Sequence, residues 1–395
     1  MELTKQEESI LNGEHGDVLE RQMRLLVRLG EIYNADKMIP VGSVQVAGVS
    51  YKSIGDPGLD FLEDIASKGG KVRVLTYLNP AGMDMKDWKE LGFPKDFAEK
   101  QIRIMRAFGD MGINTTATCT PYLAGNLPRF REHIAWSESS AVSFANSVIG
   151  ARTNREGGPS ALASALLGVT PNYGLHLEEN RKATIRINVN TELKTSSDFG
   201  ALGYWAGKHA KNGIPFFKGI RDANTDELKF LGAAMAASGA VALYHVSGLT
   251  PEADSQVGGG LETFDFGDKE KKETYETLNT GQNPDIAILG CPHASIREIA
   301  YVASLLEGKR LGKPLWICTS RAMKQLADNL GYTLKIRKAG GRIVADTCMV
   351  VSPIEEMGYK RTGVNSGKAA NYLPGFCKQE VIFRDVEKLV EELLV

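Results

Sequence analysis

The sequence predicts an α/β fold, and three observations carry that expectation. Short apolar runs alternate with amphipathic stretches at helical spacing, which is the βα rhythm of parallel sheets. The runs are followed directly by residues able to do chemistry, as at the carboxyl edge of an open parallel sheet. Finally, 395 residues exceed what one hydrophobic core usually serves, so two or three lobes are expected.

The elements follow in order. Leu19, Met23, Leu26 and Leu29 fall on one face of a helix over Asp17 to Tyr33. Next come GSVQVAG and KVRVLTYL as strands, a helix from Pro94 to Met111, and INTTAT as a further strand. A second group contains ATIRINVN, a helix near Phe199 to Lys211, IPFF, a helix over Thr225 to Ser238, and AVALYHV. The acidic, Gly-rich segment Gly258 to Asn283 lacks apolar periodicity and reads as a connection. Beyond it DIAILG, PLWICTS and RIVADTC alternate with helices. The expected lobes are 1-180, 181-260 and 284-395.

Charge and composition exclude several classes. With 47 basic and 48 acidic residues interleaved, the chain offers no basic face for nucleic acid and no polybasic membrane patch. The start, MELTKQEESILNGEHG, is charged rather than basic then apolar, so a cytoplasmic location is expected. The longest apolar stretch, Phe230 to Val246, is interrupted at Ser238-Gly239 and is too short for a membrane span. Five cysteines without close spacing do not make a disulfide framework.

Three of those cysteines share one topological position: Cys119 follows INTTAT, Cys291 follows DIAILG, and Cys348 follows RIVADT. Thiolates bind iron well, and three protein ligands on a four-iron cube leave one iron open as a Lewis acid. The alternative is three ordinary core cysteines, since cysteine is commonly buried. Cys318, inside PLWICTS, reads as core, and Cys377, in the charged tail, as chemically inert.

Gly48, Val49 and Ser50 follow one strand, and Asn79 and Pro80 another. They are either anion-holding strand ends or plain turns. The stretch EHIAWSESSAVSFANSVIGARTNREGG carries a polar N-cap region, Ser137 to Ser140, then Asn146 and Ser147 in mid-helix, followed by Arg152, Asn154 and Arg155. That density suits carboxylate or phosphate recognition. TGVNSGKAANYLPG is not a nucleotide P-loop, because Gly363 and Gly367 enclose three residues and Ala369 stands where a magnesium-binding hydroxyl is needed. Lys368 is expected in a flexible turn, either reaching an anionic substrate or simply exposed. His176, His245 and His293 show no metal-ligand spacing and read as structural. No Ser-His-Asp arrangement, HExxH motif or strand-linked GxGxxG is visible.

The strings TCTPYLAGNLP, EHIAWSESSAVSFANSVIGARTNREGGPSAL, HVSGLTPEA, GCPHASIREI and NSGKAANYLPG resemble aconitase X, of the aconitase superfamily, over nearly the whole chain. The resemblance implies a three-lobed α/β large subunit whose Cys119, Cys291 and Cys348 hold an iron-sulfur cluster, 4Fe-4S with one open iron. It implies substrate contacts at Gly48, Val49, Ser50, Asn79, Pro80, Asn146, Ser147 and Lys368. It further implies a separate small swivelling-domain subunit carrying the general base, so a heterodimer or larger assembly is expected. The implied activity is a hydro-lyase one. Members with a separate large subunit dehydrate (R)-5-phosphomevalonate to trans-anhydromevalonate 5-phosphate, whereas those acting on cis-3-hydroxy-L-proline are often one fused chain. A non-catalytic iron-sulfur binding subunit is the remaining alternative.

Overall fold

The computed structural model describes residues 1–395. It contains three parallel sheets, each flanked by helices, and a two-stranded antiparallel pair, Met38–Pro40 with Val169–Pro171. The first sheet runs in the order Asn114–Ala117, Leu75–Leu78, Ser43–Val46, Ala135–Trp136. Its inner strands are buried along nearly their whole length, as expected when helices cover both faces. Val44, Val46 and Leu78 pack there against Ile104 and Phe108 of helix Lys95–Asp110 and Leu59 and Leu62 of helix Tyr51–Ser67.

The third sheet has the order Arg342–Ala345, Leu315–Thr319, Ile286–Leu289, Arg361–Val364, Glu380–Phe383. Cys318 lies in its fully buried second strand, in the core as expected. The second sheet, between these two in sequence, has the order Glu262–Phe266, Ile185–Val189, Pro215–Lys218, His245–Val246.

One expectation is overturned here. The segment read as a connection contains the edge strand Glu262–Phe266, paired parallel with Ile185–Val189, and helix Asp268–Leu278. An edge strand shows one face to water, so the period of two survives only in Phe264 and Phe266. The helix buries only Thr274 and Leu278, too narrow a stripe to stand out from its charges.

The lobes are fastened to one another by specific contacts. Arg321 bonds Asp84 (2.6 Å) and pairs with Asp346, while Asp84 also accepts from the Ala345 amide (2.9 Å), so one buried carboxylate joins the first and third lobes. The second lobe meets the third where helix Ser196–Ala210 crosses the start of helix Gly367–Cys377. A Cβ on Gly367 would lie 2.5 Å from the Gly200 carbonyl oxygen, so only glycine permits that approach. No helix is long and apolar enough to cross a membrane.

Candidate active site

The carboxyl ends of the first and third sheets face a common cavity of about 490 Å³. Cys119, Cys291 and Cys348 all line it, each two or three residues past a strand. Asn79, Pro80 and Lys368 line it too. Strand direction explains the convergence: parallel strands deliver their following loops to one edge.

The thiols are buried and electrically coupled. Burial and the nearby Glu138 charge push the Cys119 thiol up. A hydrogen bond with Cys348 and burial push Cys291 up, and the same bond lowers Cys348 to about 7. No three His, Cys, Asp or Glu groups gather closely enough about one point to hold a single ion. The sulfurs surround a space.

Lys368 departs from expectation. It sits in helix Gly367–Cys377, is 7% exposed, and pairs with Glu138. Gly367 is dictated by the crossing with Gly200, and the turn it seemed to mark is the helix start. Burial alone would neutralise both partners, but each holds the other charged: Glu138 is lowered and Lys368 raised. Ser140 Oγ and the Ala141 amide also donate to Glu138 (2.6 and 2.7 Å).

Gly48, Val49 and Ser50 stand just behind the cavity wall. Ser50 Oγ donates to the carbonyl of Val351, a lining residue (2.8 Å), and caps helix Tyr51–Ser67 by accepting from Lys52 N (3.2 Å). Gln101 holds this loop in place: its Nε2 donates to Val49 O (2.9 Å) and its Oε1 accepts from Tyr51 N (3.0 Å) and Gly82 N (2.9 Å).

Asn146 and Ser147 do not reach the cavity. They lie in a π-helical turn, Ala145–Ile149, fully engaged with protein. Asn146 Nδ2 donates to Thr153 O (2.9 Å) and Ala242 O (3.0 Å), and its Oδ1 accepts from Thr153 N and Arg181. Ser147 Oγ accepts from Tyr244 N (2.9 Å). Neither residue lines the cavity: the Asn146 amide is fully used within the protein, and the Ser147 hydroxyl accepts one bond. Arg152 pairs with Glu178, and Asn154 Nδ2 donates to Tyr173 O (3.0 Å).

Lys52, Ser53 and Tyr372 also line the cavity without having been singled out in the sequence, and Glu138 and Ser139 stood out only as part of the polar N-cap region Ser137 to Ser140. Glu138 and Ser139 do follow a strand, but Ala135–Trp136 is two residues long and leaves no alternation to detect. Lys52 Nζ bonds Glu355 (2.8 Å), Ser352 O (3.0 Å) and Cys377 Sγ (3.4 Å). Cys377, in the charged tail, is fully buried behind the cavity, and burial raises its thiol to about 11. Of Asn79, the Oδ1 atom is buried and has no partner. Another cavity, about 370 Å³ between the second and third lobes, holds no cysteine, and its Asp226 and Glu298 are tied to Lys229.

Strand-end thiols from the first and third lobes and one buried ion pair meet at a shared cavity, the arrangement of an enzyme active site. Residues 1–179 match the Aconitase X first domain, 183–276 the second and 284–394 the third. The crystal structure of Thermococcus kodakaraensis aconitase X in its holo-form superposes with a TM-score of 0.94 at 50% identity, covering 100% of both chains. The phosphomevalonate dehydratase large subunit of Methanocaldococcus jannaschii is 57% identical over 99% of this chain and 100% of its own. The cis-3-hydroxy-L-proline dehydratase of Pseudomonas aeruginosa is 34% identical over 98% of this chain and 68% of its own. The chain belongs to the aconitase X family.

Proposed function

We propose that this chain is the large catalytic subunit of a cytoplasmic hydro-lyase that converts (R)-5-phosphomevalonate to trans-anhydromevalonate 5-phosphate, with Cys119, Cys291 and Cys348 as ligands of a 4Fe-4S cluster. The observation that carries the reading is the single cavity lined by three buried thiols, a buried ion pair and the unpartnered Asn79 Oδ1. An all-sulfur donor set spread around a space, without a point of convergence, fits a polynuclear group better than one ion. When bound, that cluster supplies a Lewis-acidic iron with a place for the substrate hydroxyl.

The chain's own residues bind and orient. The two cations lining the cavity lie on separate walls, Lys368 against Glu138 and Lys52 against Glu355. Lys368 keeps one ammonium hydrogen beyond those given to Glu138 and Ser140, and with Lys52 at the same cavity it suits a substrate carrying carboxylate and phosphate better than hydroxyproline with its single carboxylate. The Asn79 amide and the Ser139 hydroxyl add hydrogen-bonding capacity where the substrate would sit. Glu138 is the lone carboxylate lining the cavity and its charge is committed to Lys368, so removal of the C2 proton falls to a base on the small subunit. The names of relatives at 49–57% identity, all phosphomevalonate dehydratase large subunits, support both substrate and partner.

The test is anaerobic: reconstituted large and small subunits are given (R)-5-phosphomevalonate or cis-3-hydroxy-L-proline, and water loss is followed by mass. Turnover of the phosphate ester alone is expected, with Cys291→Ser at background. Full activity in Cys291→Ser, or preference for hydroxyproline, overturns the reading.

A further inference from the structure

His293 is fully buried, two residues past Cys291, and touches the loops of both other cavity cysteines. Its Nε2 lies 3.0 Å from the carbonyl oxygen of Thr347, the residue before Cys348. Its Nδ1 lies 3.0 Å from Oγ1 of Thr118, the residue before Cys119. Its backbone N–H donates to Cys119 Sγ itself (3.1 Å). A carbonyl can only accept, so Nε2 carries the proton and Nδ1 accepts from the Thr118 hydroxyl. That hydroxyl's oxygen in turn accepts from Thr120 N (3.1 Å). Each donor thus has a fixed acceptor.

The anchoring continues outward. The His293 carbonyl accepts from Lys229 Nζ (3.3 Å), whose ammonium is clamped by Asp226 (3.1 Å) and Glu298. Gln45 Nε2, from the centre of the first sheet, donates to Thr118 O (2.7 Å). One imidazole therefore ties three strand-end loops that approach from two different sheets. Nothing else bonds to all three.

We propose that His293 is a positioning residue that locks the three cysteine loops in register, so that its ring hydrogen bonds set how firmly the chain retains its metal group. This rests on the reading of Cys119, Cys291 and Cys348 as ligands. Outer groups that orient metal ligands typically contribute 10- to 100-fold in affinity when removed. Here a single ring bonds the backbone of one ligand loop and a side-chain hydroxyl of a second, and hangs from the third.

The experiment compares wild type with His293→Ala, His293→Gln and Thr118→Val, reconstituted anaerobically with iron and sulfide. Iron release to a ferrous chelator is followed, together with alkylation of Cys119 by iodoacetamide in the metal-free proteins. His293→Ala should lose iron about 10- to 100-fold faster and label faster at Cys119. His293→Gln, which keeps a donor toward Thr347 O, should fall between, and Thr118→Val should speed release while leaving the fold intact. If His293→Ala does not fold, the other two variants decide. Release and labelling at wild-type rates in any folded His293 variant and in Thr118→Val overturn the proposal. Wild type that takes up no iron would instead sink the ligand reading, and Cys119 labelling would still report whether His293 orders the loops.

Discussion

Two regions of this chain bury clusters of polar residues and use them differently. Around the cysteine cavity bonding capacity is left over: Asn79 Oδ1 has no partner, and three thiols and two lysines face a common space. Around Arg181 the buried cation itself is fully paired. Its fully buried guanidinium donates to Glu252 (3.0 Å), Asn146 Oδ1 (3.2 Å), Leu175 O (3.0 Å) and Ala151 O (3.2 Å). The difference teaches that polar density alone does not mark a binding site. An unpaired buried polar atom costs stability wherever it lies, and of those in this chain Asn79 Oδ1 is the one that belongs to a residue lining the cysteine cavity.

The comparison breaks most visibly at Arg181. Arg181→Met leaves the Glu252 charge buried and uncompensated, which should cost about 3–5 kcal/mol in a denaturant midpoint, while KM of the folded fraction stays unchanged. Replacing both partners, as in Arg181→Met with Glu252→Leu, should recover most of that loss. A changed KM with little lost stability would place Arg181 in the binding machinery and dissolve the contrast.

Two asparagines sharpen it next. Asn146→Ala orphans the Thr153 amide and one arm of Arg181, and should cost about 1–3 kcal/mol without altering KM. Asn79→Ala removes an atom that bonds nothing in the free protein, so stability should hold while KM rises about 10-fold, the equivalent of one hydrogen bond to substrate. Steady-state kinetics beside thermal unfolding separates the two. Identical profiles for both variants would mean that leftover capacity does not identify the site.

What was legible in the sequence follows the same division. The α/β class and the placement of Cys119, Cys291 and Cys348 after strands were readable because apolar runs carry a period and the residue after a strand has a defined location. Asn146 and Ser147 looked functional because two polar residues in mid-helix are unusual, yet sequence cannot show that Arg181, thirty-odd residues on, returns to consume them. Lys368 and Gly367 looked like a loop because the close pass of Gly200, on another lobe, leaves no local trace. Glu138 and Ser139 lacked a strand long enough to point at them. The edge strand Glu262–Phe266 was hidden by its own exposure. Each miss is a non-local partner or an element too short to carry a period.

A pH titration supplies the smallest expected effect and tests the contrast from the side of charge. His176, at the edge of the Arg181 node, has its carbonyl bonded by Arg152 (3.2 Å) and its Nδ1 3.0 Å from His133 Nδ1. Burial lowers His176 to about 3, and burial lowers His133 as well. The unfolded imidazole titrates near 6.5, so below that pH the unfolded chain binds a proton that the folded one refuses. The stability this group contributes is complete above about 6.5 and is lost as pH falls toward 3, at about 1.4 kcal/mol per pH unit. The Glu138 and Lys368 pair, one lowered and the other raised, stays charged between pH 7 and 5.5. Between pH 7 and 5.5 wild type should therefore lose about 1.4 kcal/mol more than His176→Gln in denaturant midpoints. Equal losses in the two proteins would show that the node tolerates a buried proton after all, and that it too holds capacity in reserve.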